Sequence, residues 1–355
     1  MRKVWLNAYE KGIPGQLEYP DTTLPAALAQ IASEFPNNHA LVYLDYSWSY
    51  SELDKLVSQM ANLLIGMGIK PGERIAIHLP NSPQFVIAYY GLLRAGAIAV
   101  PINPSSTGDD FEFILENSGS KILVTFSDIL PNLKLDAAIG IKILVTHIQT
   151  PFAPNQDYQI SPVPSVTRLE RVLFDQSTIN PGIMISPDAY ANLQYTGGTT
   201  GRSKGAILSH RNLIANACQF KHWFKNSYNQ GEGRFIGVIP LFHIYAMTTT
   251  MNAPIITAST ILLQSKFDIS ELMHIIERYK PNLFMGVPAM YGAITLRQQH
   301  PDMSSIKACM SGSAPLPPAI QKNFEYLTGG KLAEGYGLSE ASPIVCCNPI
   351  YGNVK

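Results

Sequence analysis

Apolar residues along the chain switch between two periods. Short aliphatic runs alternate with longer stretches in which apolar positions recur every three or four residues. Ala40–Asp45 and Trp48–Tyr50 read as a short hairpin turning at Tyr46-Ser47. Ser51 caps a helix running to about Gly66, with Leu53, Leu56, Ala61, Leu63 and Leu64 available for a buried face. Pro71-Gly72-Glu73 turns the chain into a strand, Arg74–Leu79. Asn81 or Ser82 caps the next helix, which ends near Ala95-Gly96. Ala97–Ile102 then reads as a strand, Phe111–Asn117 as a helix and Ile122–Thr125 as a strand. Strands alternating with helices of this length predict a largely parallel sheet covered on both faces.

From Gln149 to Pro187 the pattern dissolves into prolines, predicting a long irregular connection with one short helix. The alternation then resumes. His210–Phe220 and Ser270–Tyr279 read as helices, and Phe235–Ile239, Leu283–Val287 and Ile306–Met310 as strands. The expectation is an α/β protein of two similar lobes with largely parallel sheets covered by helices. The first spans 1–190, including the irregular connection, and the second 191–355. Ile244 to Ser265 carries no charge but holds five threonines, too polar for a spanning helix, so a buried helix and buried strand are expected.

Composition narrows the function. The 355 residues are 46% hydrophobic, enough for a large core. Lys+Arg and Asp+Glu number 26 each, so no field for a polyanion is present and nucleic acid is not an expected partner. Cys218, Cys309, Cys346 and Cys347 lack metal spacing and read as free thiols of a reducing cytosol. MRKVWLNAYEKG has no apolar core of a signal peptide, so a soluble cytoplasmic protein is expected.

The densest chemistry is Leu193–Gly205, LQYTGGTTGRSKG, directly after an apolar strand. Gly197 and Gly198 let backbone N–H groups approach an anion unobstructed by a Cβ. Thr196, Thr199, Thr200 and Ser203 add hydroxyl donors, and Lys204 a point charge suited to phosphate. A Walker A loop would place a helix after its Gly-Lys-Ser/Thr. Here Gly205, Ala206, Ile207 and Leu208 follow Lys204, so strand–loop–strand is expected. Taken alone, such a tract also suits a solvated hairpin connection. Glu334-Gly335-Tyr336-Gly337-Leu338-Ser339-Glu340 offers a tyrosine face for a base, a hydroxyl for a phosphate oxygen and a carboxylate for Mg²⁺; alone it also suits a tight turn. Ser311-Gly312-Ser313-Ala314-Pro315-Leu316 is a small-residue turn that admits a flat ligand.

In this order and spacing the segments resemble the adenylate-forming superfamily of acyl-CoA synthetases, luciferases and peptide-synthetase adenylation domains. Tyr195–Gly205 corresponds to its phosphate loop, Pro240–Met247 (PLFHIYAM) to its substrate-side motif and Gly335–Glu340 to its tyrosine–glycine–hydroxyl–glutamate motif. Within it, KVWL, LQYTGGTTG, HRNL and EGYGLSEASP look most like bacterial long-chain fatty acid–CoA ligases, and the likeness runs nearly end to end.

The resemblance implies ATP and coenzyme A as substrates, with Mg²⁺, and assigns roles by position. Thr196, Thr199, Thr200, Ser203 and Lys204 would line the β- and γ-phosphates, with Gly197, Gly198 and Gly201 in the same binding set. Tyr336 would lie against the adenine, flanked by Glu334, Gly335 and Gly337, with Gly312, Ser313 and Ala314 along the other edge. Ser339, where the family usually has threonine, would contact the α-phosphate, and Glu340 would hold Mg²⁺. His243 would sit where the acyl carboxylate meets the pantetheine channel. Thr196, Lys204, His243 and Glu340 would take part in the reaction itself. For the acyl tail the residues offer Phe242, Tyr245, Met247, Met251, Met285, Val287, Met290 and Tyr291, each equally suited to an ordinary core. Relatives work at the inner face of the cytoplasmic membrane, so peripheral contact there fits the resemblance, and a homodimer is left open.

The superfamily's chain continues beyond this motif into a ribose-binding aspartate, a hinge and a small C-terminal domain with a second lysine. The resemblance therefore implies most of a large N-terminal domain, with weak or no turnover by itself. A fatty acyl-AMP ligase, another acid-adenylating enzyme and a non-catalytic nucleotide- or acyl-binding protein stay open. An amino-acid site would want an acidic residue near Leu241–Met247, and none is present.

Overall fold

A computed structural model describes residues 4–133, 140–149, 152–154, 158, 166–196 and 202–352. The strands in chain order begin with β1 (His39–Tyr43), β2 (Tyr46–Ser49), β3 (Arg74–His78), β4 (Ile98–Pro101) and β5 (Ile122–Phe126). Next come β6 (Lys142–Thr146), β7 (Val166–Arg168), β8 (Tyr190–Thr196), β9 (Lys204–Ser209) and β10 (Arg234–Gly237). The series closes with β11 (Thr260–Leu263), β12 (Leu283–Gly286), β13 (Ala308–Ser311), β14 (Lys331–Gly337) and β15 (Ile344–Cys347).

They form two sheets, ordered β7-β6-β5-β3-β4-β8-β9 and β15-β14-β13-β12-β10-β11-β1-β2. Both are parallel inside, with antiparallel pairs only at edges: β8–β9 in the first, β1–β2 and β14–β15 in the second. The α/β class and parallel sheets expected from the periodicity are present. The sheets do not divide at residue 190, however. The β1–β2 hairpin joins the sheet built from the second half, and β8–β9 joins that of the first. Each sheet thus takes an edge from the other half of the chain.

A core common to both sheets explains the exchange. Helix Pro83–Arg94 is buried on every side, as its all-round apolar sequence requires, and packs on helix Tyr50–Gly66. Apolar residues of Leu24–Glu34, β1, β3, His210–Trp223 and β10–β14 join them in one cluster. Arg94, buried with them, reaches Ser58 Oγ (2.7 Å), the Asp54 carboxylate and backbone carbonyls, so its charge is paired. The outer faces are sealed separately, by Phe111, Ile114 and Leu115 over the first sheet and Leu272, Ile276 and Phe324 over the second.

Local details differ from the sequence reading where a turn or cap was misplaced. The first hairpin turns at Leu44-Asp45, both with positive φ, so Tyr46 opens β2. The cap of Tyr50–Gly66 is Ser49, not Ser51. Its hydroxyl accepts the Glu52 N–H at 3.2 Å while Glu52 accepts from Ser49 N–H at 2.8 Å, a reciprocal capping box. Helix Leu24–Glu34 and β6 carry no expectation from the sequence. The uncharged stretch does hold a buried helix, with a π turn at Met247–Asn252, followed by β11. No helix among the described residues is long and apolar enough to cross a membrane.

Candidate active site

The parallel strands of the second sheet end together. Beyond their carboxyl ends the chain places the 238–243 loop after β10, Gly312-Ser313 after β13 and the end of β14, with β15 returning alongside. This is where open α/β sheets hold ligands. A cleft of about 230 Å³ lies there, walled by His243, Ile244, Tyr245, Met310, Gly312, Ser313, Gly335–Ser339, Pro343 and Ile344. Three segments singled out in the sequence therefore share one wall. A second cleft, of about 180 Å³, lies between the β1–β2 hairpin and helix Ile269–Tyr279 and contains none of them.

Each wall is shaped by local constraints. Gly312 admits the Tyr245 ring, since an added Cβ would lie 3.2 Å from Tyr245 Cζ. The Tyr245 hydroxyl donates to Met310 O at 2.9 Å and Gly286 O at 3.3 Å, fixing the ring across the ends of β13 and β12. Ser313 has φ of 69°. Glu334 accepts the Leu316 N–H at 2.9 Å and so ties the small-residue turn to β14. Between Tyr336 and Gly337 the β14–β15 register slips by a bulge, which re-aims the strand end. Tyr336 is 63% exposed there, a large ring presented to the cleft and to solvent.

His243 caps the helix that follows it, its Nδ1 accepting the Tyr245 N–H at 3.2 Å. The neutral ring therefore carries its proton on Nε2. Burial of the ring's inner side lowers its pKa below the ordinary value, although its outer side is open. The loop is held from behind. Asn81 donates to Gly237 O and Ile239 O and accepts the Leu241 N–H, and Gln194 donates to Phe242 O. On the other wall Thr248 Oγ1 donates to Ser342 O at 3.0 Å, and Asn216 makes paired bonds to the Ile344 backbone.

The hairpin β8–β9 brackets the expected phosphate loop as strand–loop–strand. Gly197, Gly198, Thr199, Thr200 and Gly201 lie outside the described residues. Thr196 pairs with Lys204 across the hairpin, Ser203 is half-buried and Lys204 exposed. Arg202 lies over the Phe113 ring, 5.3 Å from its centroid. β9 packs against the Ser339–Ala341 turn, so the hairpin and the Glu340 segment are neighbours. Glu340 itself is exposed and has no ion pair or hydrogen bond among the described residues. Ala314 is exposed beside Ser313.

The tail-side residues separate. Tyr245 forms the cleft floor. Met247, Met251, Met285 and Tyr291 are buried in the core, and the Tyr291 hydroxyl is spent on Phe284 O and Met310 O. Val287 and Met290 are half-buried at the start of helix Pro288–Thr295, and Phe242 is half-buried behind the cleft. Met310, Leu338, Pro343 and Ile344 line the cleft without a site role expected from the sequence, although Leu338 stood inside the Glu334–Glu340 motif. Pro343 lay within the quoted motif string, whereas the hold of Asn216 on Ile344 spans 128 positions and leaves no local signal.

The fold is parallel α/β, with a crevice at the strand ends built of these glycine- and hydroxyl-rich segments. Residues 28–355 match the AMP-binding enzyme family, and the chain belongs to that family. It is similar to the long-chain-fatty-acid–CoA ligase of Bacillus subtilis, 36% identical over 372 residues that cover all of this chain and 66% of the relative. The ligase of the same name from Yersinia pestis is 30% identical, with 98% and 66% covered. The chain thus spans about two thirds (66%) of the length of these curated relatives. In fold it matches an anthranilate CoA ligase crystallised with anthranoyl-AMP, at a TM-score of 0.83 and 22% identity over 96% of this chain and 64% of that one. It also matches a long-chain-fatty-acid-CoA ligase from Archaeoglobus fulgidus, at 0.82 and 24%, over 96% and 68%.

Proposed function

We propose that the chain provides the acid-activating site of an ATP-dependent long-chain fatty acid–CoA ligase. The carrying observation is the single cleft that unites His243, Gly312-Ser313 and Gly335–Ser339 beside the Lys204 hairpin. A carboxylate resists thiol attack because it is anionic and lacks a good leaving group. One of its oxygens attacks the α-phosphorus of ATP, the bond to the bridging oxygen breaks, and pyrophosphate leaves. The CoA thiol then adds to the acyl carbonyl of the mixed anhydride, loses its proton, and AMP departs.

The first step gathers charge on phosphate oxygens, so fixed donors and cations supply most of the rate. In this reading Thr196, Ser203 and Lys204, with the 197–201 loop, grip the β- and γ-phosphates. Tyr336 stacks on the base against Gly312, Ser313 and Ala314, and Ser339 donates to the α-phosphate. Neutral His243, donor at Nε2, faces the acyl carboxylate over the Tyr245 floor. The exposed carboxylate of Glu340, unpaired among the described residues, fits Mg²⁺, which binds through one or two carboxylates plus substrate phosphates, and no cluster of three His, Cys, Asp or Glu competes among those residues. Bound there, the ion would neutralise phosphate charge. The resemblance to long-chain ligases at 30–36% identity supports the fatty acid and CoA as substrates.

Calorimetric titration of this chain with non-hydrolysable acyl-adenylate analogues tests the reading. Long-chain acyl analogues are expected to bind more tightly than AMP. Preference for an aminoacyl analogue, or no binding by any of them, would overturn it.

A further inference from the structure

Two side-chain amides reach from the first sheet to the loop that presents His243. Asn81, following β3, donates to Gly237 O at 3.1 Å and Ile239 O at 2.9 Å and accepts the Leu241 N–H at 2.7 Å. It anchors the loop to a fixed part of the sheet. Gln194 is the other, and its position is different in kind. It lies on β8, two residues before Thr196, where the strand runs into the phosphate hairpin. Its Nε2 donates to Phe242 O at 3.1 Å, one residue from His243.

Gln194 belongs to a short buried polar ladder. Asn192 and Gln194 share one face of β8, and Asn192 Nδ2 donates to Gln194 Oε1 at 3.0 Å while lying 3.6 Å from Met247 Sδ. The ladder therefore touches the acid-side segment at both Phe242 and Met247. It is not saturated, because Asn192 Oδ1 is buried with no partner among the described residues. A buried network with an unpaired acceptor resists rearrangement less than a saturated one, because a shift that supplies a partner recovers a lost hydrogen bond. Asn81, with donor and acceptor both engaged, has no such slack.

We propose that Gln194 is a positioning residue that couples phosphate held at Thr196, Ser203 and Lys204 to order in the acid-side segment Phe242–Ala246. When phosphate draws in the end of β8, the Gln194 amide carries the Phe242 carbonyl with it and sets His243 for the carboxylate. By linkage, acid bound at His243 also favours phosphate in the hairpin. This rests on the phosphate assignment of the hairpin made under Proposed function.

Hydrogen–deuterium exchange of this chain with and without pyrophosphate tests it. That probe spans only the β- and γ-positions assigned to the hairpin and lacks the α-phosphate assigned to Ser339 in the cleft lining, so an effect on 242–246 is read as coming through the hairpin. Wild type is expected to show exchange slowed about threefold or more both in β8–β9 and in 242–246. In Gln194→Met, close in size but without the amide, slowing in β8–β9 persists and that in 242–246 is lost. A purely structural role would raise exchange in 242–246 equally with and without the probe. Gln194→Leu, which is smaller and has no polar atom to donate, serves if the first variant does not fold. Slowing confined to β8–β9 in wild type, or unchanged slowing of 242–246 in either variant, overturns the coupling and leaves the phosphate assignment standing. No slowing anywhere overturns the phosphate assignment and the coupling with it.

Discussion

Adjacent residues in the cleft do opposite kinds of work, and substitutions separate them. At Gly337 an added Cβ would lie 2.3 Å from Pro343 O, a backbone atom that also accepts the Leu338 N–H. Neither strand can yield without losing that bond. Gly337→Ala is expected to destabilise the fold on the order of 1–3 kcal/mol, as overpacking does, lowering the urea midpoint at unchanged slope. Tyr336, 63% exposed, holds up nothing behind it. Tyr336→Ala should leave stability within about 0.5 kcal/mol. Its AMP affinity should fall about tenfold, since stacking a base on an aromatic ring contributes roughly 1–3 kcal/mol. Urea melts and AMP titrations of the two variants check this, and the reverse pattern would mean that the ring is structural. The motif singled out the tyrosine, and the structure leaves its ring exposed. The demand on Gly337 was not legible there, because it comes from a bulge against a strand whose register no local pattern sets.

At the scale of elements, periodicity located most strands and helices of the first half but gave no reading for helices Leu24–Glu34, Pro288–Thr295 and Pro318–Thr328 or for β6, and it placed element ends less well. Apolar runs report burial, and burial survives a one- or two-residue error in the boundary. Caps and turns depend on single side chains that compete. Ser49 and Ser51 both precede the apolar face of the same helix, but only Ser49 stands three residues before Glu52 in a reciprocal box. Ser49→Ala is expected to cost about 1 kcal/mol and Ser51→Ala less than about 0.5 kcal/mol, read from urea denaturation. Equal effects would contradict the assigned cap. The turn at Leu44-Asp45 was missed for a related reason. Leucine and aspartate both hold positive φ there, a backbone state that Tyr46-Ser47 advertises no better. Edge exchange between the sheets left no trace in the pattern, since an edge strand carries the same alternation whichever sheet it joins.

For the whole molecule, acid should destabilise the fold through two buried histidines that do not line the cleft. His78 ends β3 in the first sheet, its ring 4.9 Å from that of Phe111 and its Nδ1 3.2 Å from Thr125 Oγ1. His210 opens helix His210–Trp223 and accepts the Leu24 N–H at 3.4 Å, joining that helix to Leu24–Glu34. Burial lowers each to about 4 in the fold. In the unfolded chain a histidine titrates near about 6.5, so as pH falls the unfolded state takes up protons first and stability drops. The neutral rings therefore contribute fully above that value, and their contribution is lost between it and the folded pKa. The loss is on the order of 3 kcal/mol for each, and lowering the pH beyond the folded pKa adds little more from these groups. Urea denaturation at neutral pH and at a pH just above the folded pKa should show this fall. His78→Gln, uncharged at both, should start less stable and fall by roughly half as much if the two rings dominate. A wild-type midpoint that stays level across the interval would mean that water reaches these rings in the folded chain.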